Sequence, residues 1–136
     1  MAALRFITSA CLAGAKCRYN GKDKKDKNIY LKVNKGEGLP LCPEQLGGLP
    51  TPRKISWTKI KQGRKLVISS GGEDLTEFFL RGANLSFRIG RRFKINSAYF
   101  KKGSPSCGFC PGDKDNKIAG ITSTLLDKKG MKIYPR

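Results

Sequence analysis

The sequence predicts an α/β fold: a single domain over residues 1–136, with a mainly parallel central sheet flanked by helices in Rossmann-like layering. Three observations lead there. Short apolar runs of strand length alternate with longer stretches of helical period, the order that a parallel sheet with crossover helices requires. Apolar residues make up 38 % of the chain and are spread along it, which argues against a disordered polymer. At 136 residues there is enough chain for one ordinary core and too little for two.

The first apolar run, "LRFITSA", has the character of a buried strand and stops at Cys11. "RYNGKDKKDKN" is polar, carries charges from Lys22 to Lys27 and belongs at the surface; "IYLKVNKG" after it reads as a helix. "GLPLCPEQLGGLPTPR" begins as a brief strand ending near Cys42 and continues as a shaped loop. Pro43, Pro50 and Pro52 remove backbone donors there, while Gly47 and Gly48 permit positive φ. Ile55 to Ser70 reads as two extended arms about Gly63, with Leu66, Val67 and Ile68 the most buried. The clearest helix lies in "EDLTEFFLRGANLSFRIG". Asp74 and Glu77 have capping-box spacing, and Leu75, Phe78, Phe79, Ala83, Phe87 and Gly90 recur at helical intervals, so one face packs on the sheet. "NSAYFKKGSPSCG" is a strand running into a turn-rich loop, "ITSTLLDKK" a last helix ended by Gly130, and "MKIYP" a closing strand.

No window approaches the roughly 20 uninterrupted apolar residues of a membrane span. The opening "MAALRFITSAC" also lacks the form of a secretion leader, because Arg5 sits inside the apolar run rather than before it. The expected location is the cytoplasm, where thiols stay reduced. There an odd count of five cysteines points to metal ligation or catalysis more than to a disulfide framework.

In an open α/β sheet, ligands gather at the carboxyl ends of the strands. Three loops leave presumed strand ends here, carrying Cys11 with Cys17, Cys42 with Glu44, and Ser104 with Cys107. The thiols can therefore converge although the chain separates them. Taken singly, each motif is weak: the Cys11/Cys17 spacing is too wide for a zinc knuckle, Cys107 and Cys110 form a lone C-x-x-C, and any one thiol can be a small buried hydrophobe. The chain has no histidine, so proton transfer must fall to a carboxylate or a lysine. Glu44 is such a carboxylate on one of these loops, and can also be simply a helix-start carboxylate in a Gly/Pro loop. The Ser104 hydroxyl can equally cap the turn before Cys107.

Four ordered stretches, "SACLAGAKCRYNGK", "LCPEQLGGLPTPR", "GEDLTEFFLRGA" and "KKGSPSCG", resemble the small desulfidase family whose members remove sulfur from thiouracil and thiouridine. The resemblance runs from about Phe6 to Gly108. It implies a [4Fe-4S] cluster held by Cys11, Cys17 and Cys107, with one open iron that binds the sulfur of a thiolated pyrimidine as a Lewis acid. It further implies Glu44 as the catalytic carboxylate and Ser104 as a serine that positions or relays the proton. Cys42 matches a position often occupied by cysteine, as a packed thiol or a fourth ligand in a resting form; Cys110 lies outside the motif. After "SPSCG", "FCPGDKDNKIAG" is shorter than the hairpin that relatives carry. The implied activity is non-redox hydrolysis of C–S to C–O on thiolated uracil as free base, nucleoside, nucleotide or within tRNA.

A net charge of +18, from 28 Lys plus Arg against 10 Asp plus Glu, attracts polyanions, although biased composition alone can produce it. "RKISWTKIKQGRK" sets Trp57 among basic residues, and "RIGRRFK" adds Arg88, Arg91, Arg92 and Lys94. Such a set can stack a base and track phosphates, or be an ordinary solvated face. Two other classes stay open at this stage: a structural RNA-binding protein with zinc or a cluster on the same thiols, and a dithiol redox protein using Cys107 with Cys110. Oligomeric state is not readable from the sequence.

Overall fold

The computed structural model describes residues 3–108 and 120–136. In chain order the elements are β1 (Phe6–Ser9), α1 (Lys27–Asn34), β2 (Gly38–Leu41), α2 (Pro43–Leu46), β3 (Ser56–Lys61), β4 (Arg64–Ser69), α3 (Thr76–Arg92), β5 (Ser97–Phe100), α4 (Ile121–Lys128) and β6 (Lys132–Pro135). Four strands make a sheet in the order β2-β1-β5-β6, parallel throughout, and β3 with β4 forms a separate antiparallel hairpin. The predicted α/β class with a parallel sheet is therefore what the chain adopts.

Parallel neighbours cannot be joined by a tight turn, so the topology is set by crossovers. The chain passes from β1 through α1 to β2 on one side, then returns through α2, the hairpin and α3 to add β5 on the other side of β1. The loops leaving β1 and β5 part company at this switch point, and a crevice opens between them. Alternation along the strands fills both faces. Ile7, Ala98 and Phe100 join a core with Leu126 and Met131, whereas Phe6 meets Tyr99 edge-on at 5.1 Å on the face where Ile29 and Val33 of α1 pack.

Several boundaries differ from the sequence reading, each for a local reason. β1 ends at Ser9 rather than running to Cys11, because Ala10–Ala13 tightens into a 3₁₀ turn closed by Gly14 at φ 97°. α1 begins at Lys27, before "IYLKVNKG", because the Asp26 carboxylate accepts from the Asn28 and Ile29 amides at 3.0 and 3.2 Å. The segment after Cys42 contains one helical turn, since Pro43 at its start needs no donor and Gly47 and Gly48 end it. At the start of α3, Asp74 accepts from the Thr76 amide and hydroxyl, but Glu77 stays exposed and closes no capping box. Of Leu66, Val67 and Ile68 only Val67 is fully buried, because hairpin alternation turns its neighbours partly outward.

The buried stripe of α3 is built from small residues where it meets other backbone. A Cβ on Gly82 would strike the Pro43 carbonyl, and one on Gly47 would strike the Phe78 carbonyl, so α2 lies directly on α3. Towards the other end Gly90 admits Ile7 and Met131. Replacement of Gly82 by alanine is expected to cost about 1–3 kcal/mol by overpacking. Urea unfolding checks this, and a loss below about 0.5 kcal/mol, the range of a surface substitution, would show that α2 shifts freely. Among the described residues no helix is long and apolar enough to cross a membrane.

Candidate active site

The loops leaving β1, β2 and β5 open into one cleft of about 160 Å³ at the carboxyl ends of the strands, where Cys11, Cys17, Cys42, Cys107, Glu44 and Ser104 share the wall. Each arrives by a different local route. The 3₁₀ turn after β1 carries Cys11, and the loop beyond it brings back Cys17, whose amide bonds the Ala15 carbonyl at 2.9 Å. Cys42 is the residue preceding α2, and Glu44 rides on that single turn. Ser104 shapes the loop after β5, its Oγ accepting from the Ser106 and Cys107 amides at 3.2 and 3.1 Å. The turn-capping role open to Ser104 is thus realised.

All four described cysteines are free thiols. The Cys42 Sγ sits 3.9 Å from the Cys17 carbonyl oxygen, and Cys11 and Cys42 line the same cleft as the Cys17 thiol. Contact with Cys11, helped by burial and opposed by Cys42 and Arg53, pushes Cys17 up to about 11. Burial pushes Cys107 up to about 12 against the pull of the Ser9 and Ser106 hydroxyls, and contact with Cys17 followed by burial raises Cys42 further. Cys17, Cys42 and Cys107 are therefore neutral thiols at pH 7 in the unloaded cleft, and a metal binding to any of them would have to expel its proton. An ordinary thiol, at 9.0, approaches full ionisation by pH 10, whereas alkylation of Cys17 and Cys107 in the unloaded protein is expected still to climb about tenfold between pH 9 and 10. A rate that levels off in that interval would contradict the raised values. The same shifts subtract stability above pH 9, where unfolded thiols of ordinary value 9.0 ionise and the folded ones do not.

Opposite the thiols, both oxygens of Glu44 are occupied. Oε1 accepts from Arg53 Nε at 3.1 Å and Oε2 from the Ser106 hydroxyl at 3.0 Å. Ser106 Oγ is also 3.0 Å from Ser104 Oγ and 3.6 Å from Cys107 Sγ. A line of hydroxyls thus runs from Ser104 through the buried Ser106 to the carboxylate.

Sequence reasoning did not single out Ser106 or Arg53. The signal was present in "SPSCG", whose second serine adjoins Cys107, and in the arginine that ends "LGGLPTPR". The mouth of the cleft adds Arg18, Tyr19, Lys101 and Lys102, also unforeseen, with half-exposed Trp57 beside them. Burial, then Arg18, lowers Lys101 below the usual lysine value. Arg88, Arg91, Arg92 and Lys94 are not brought to this place. They occupy the last turns of α3 and its exit into β5, at the amino ends of the strands, and none lines the cleft. Cys110, its pairing with Cys107 and the short segment 109–119 lie outside the described residues.

Fold and cleft together define a thiol-centred α/β protein whose reactive groups sit where a parallel sheet gathers them. The chain belongs to the 2-thiouracil desulfurase family, whose sequence profile matches residues 6–136, and it is an enzyme of the desulfidase class. It is 31 % identical over 140 residues to "Uncharacterized protein YbbK" of Bacillus subtilis (strain 168), spanning 94 % of this chain and 93 % of that one. Among solved structures it superposes on the [4Fe-4S]-dependent thiouracil desulfidase TudS with a TM-score of 0.83 and 34 % identity, covering 98 % of this chain and 91 % of that one. The family resemblance carried by the four sequence motifs is thereby established.

Proposed function

We propose that this one-domain protein hydrolyses the C–S bond of a thiolated uracil, with a [4Fe-4S] cluster held by Cys11, Cys17 and Cys107. The observation that carries the reading is that thiols from separate strand ends share a cleft with a carboxylate already linked to two serines. The donor set fits the group. It is purely thiol, which suits iron–sulfur clusters.

When bound, the cluster would supply a Lewis acid for the substrate's sulfur. The protein's own groups do the rest. Glu44 takes a proton from water as the water oxygen bonds to the ring carbon, and Ser104 and Ser106 carry that proton along their hydroxyl line. That proton passes to sulfur as the C–S bond breaks with its electron pair on sulfur, which leaves as hydrosulfide, while the added oxygen releases water's second proton to solvent and becomes the ring carbonyl; no electrons are exchanged with a redox partner. Tyr19 and Trp57 offer faces for a planar ring at the mouth, while Arg18, Lys101 and Lys102 favour a phosphate there, so a thiolated nucleotide ranks above the free base. Arg88, Arg91, Arg92 and Lys94 would serve only a substrate as large as tRNA, as a distant second contact.

Anaerobic reconstitution with iron and sulfide tests this, followed by sulfide-release assays on thiouracil, thiouridine, its monophosphate and thiolated tRNA in parallel. Release from at least one, fastest for the monophosphate, is expected. A fully iron-loaded protein that releases sulfide from none of them, or a preparation that takes zinc and refuses iron, would end the reading.

A further inference from the structure

Arg53 has every guanidinium nitrogen engaged. Its Nε donates to Glu44 Oε1 at 3.1 Å, its Nη1 to the Pro50 carbonyl at 3.1 Å and the Thr51 hydroxyl at 2.9 Å, and its Nη2 to the Cys17 carbonyl at 3.1 Å. Its backbone amide donates to the Tyr19 carbonyl at 2.8 Å. The side chain is 7 % exposed, and the Glu44 side chain 12 %. A guanidinium so far out of water is tolerated only when its donors are met, and these are met by two parts of the site, α2 and the loop carrying Cys17, that no other described side chain joins by a short hydrogen bond. The remaining ties to the Cys17 carbonyl are a long contact from Thr51 at 3.5 Å and one from the Cys42 thiol at 3.9 Å.

We propose that Arg53 is a positioning residue that joins the Glu44 carboxylate to the loop carrying Cys17, fixing the distance between the base and the thiol side of the cleft. The inference rests on the reading of Glu44 as the base. It assigns Arg53 no contact with substrate. Its planar fork serves two acceptors in different directions, a carboxylate oxygen on α2 and a carbonyl on the loop after β1. Lysine carries the same charge but offers a single point and can meet one of them. A displacement of the base by about 1 Å is enough to cost roughly 10²-fold in rate.

Arg53→Lys and Arg53→Ala separate this from a merely structural role. In the unloaded protein, both should exchange amide hydrogens faster over residues 14–20 and 43–48, with the sheet strands unchanged. After reconstitution, Arg53→Lys should lose roughly 10²-fold in kcat with KM within about twofold, and added methylguanidine should restore part of the Arg53→Ala loss. In a Glu44→Gln background, where the base is gone, Arg53→Lys should cost almost nothing further. Wild-type exchange in those segments, wild-type kcat in Arg53→Lys, or an equal loss in the Glu44→Gln background would each overturn the assignment. Should the wild-type holoprotein release no sulfide, the functional reading fails instead, and the exchange data alone decide whether Arg53 ties the two loops.

Discussion

Glu44→Gln is expected to lower sulfide release by about 10² to 10⁴, the usual worth of a general base, while leaving iron content unchanged. Glutamine keeps the shape of the side chain and an oxygen that can still accept from Arg53, and its amide can face Ser106, which then turns its own hydrogen towards Ser104. What it loses is the ability to take a proton. Arg53 also retains the Cys17 and Pro50 carbonyls and the Thr51 hydroxyl, so the buried cation is not left bare. The expected stability loss is therefore below the roughly 3–5 kcal/mol of an orphaned buried charge. The measurements are iron per chain, urea midpoint and single-turnover sulfide release on the best substrate. Unchanged turnover with full iron would move the base elsewhere, and Lys101, lowered by burial at the mouth of the same cleft, would be the next group to replace.

The sheet and the convergence of its loops were legible because they follow from pattern. Strands such as "FITS" and "SAYF" are short apolar runs, and loops leaving parallel strands meet at one edge whatever the residues. The same pattern converges Cys11, Cys42, Glu44, Ser104 and Cys107, and all five line the cleft. What escaped was local chemistry acting at a distance. Asp26 starts α1 through a side-chain bond hidden inside a run that reads as mere surface charge. Arg53 looks like one more basic residue among 28 Lys plus Arg, and only its burial against Glu44 sets it apart. The cluster at Arg88 to Lys94 was joined to Trp57 by composition, but α3 delivers it to the edge where the strands begin. Periodicity finds the face of a helix and says nothing about which end of the sheet the helix finishes at.

Single replacement of Cys11, Cys17 or Cys107 by alanine is expected to abolish retention of iron, the largest effect of all, because under the proposed ligation each would remove a third of the protein's grip on the cluster. The unloaded fold should survive the change. Cys107 is fully enclosed and its loop is held by Ser104 through two amides, while Cys11 and Cys17 sit in a loop tied back to Arg53. The loss expected from a small buried side chain is about 1–3 kcal/mol, which unfolding of the metal-free protein will report separately from iron. Cys42→Ser is the sharper comparison, since this thiol lies 3.9 Å from the Cys17 carbonyl oxygen and two residues before Glu44 in the chain. It should keep iron if Cys42 only packs, and lose it if it is a resting-state ligand. Cys110→Ser should keep both iron and sulfide release, whereas a dithiol mechanism needs Cys110 and would be silenced. Iron and acid-labile sulfide per chain, measured after anaerobic desalting, decide among these. A Cys107→Ala protein with a full complement would mean that Cys42, which lines the same cleft as Cys11 and Cys17, takes the third place, and that the loop after β5 contributes hydroxyls alone.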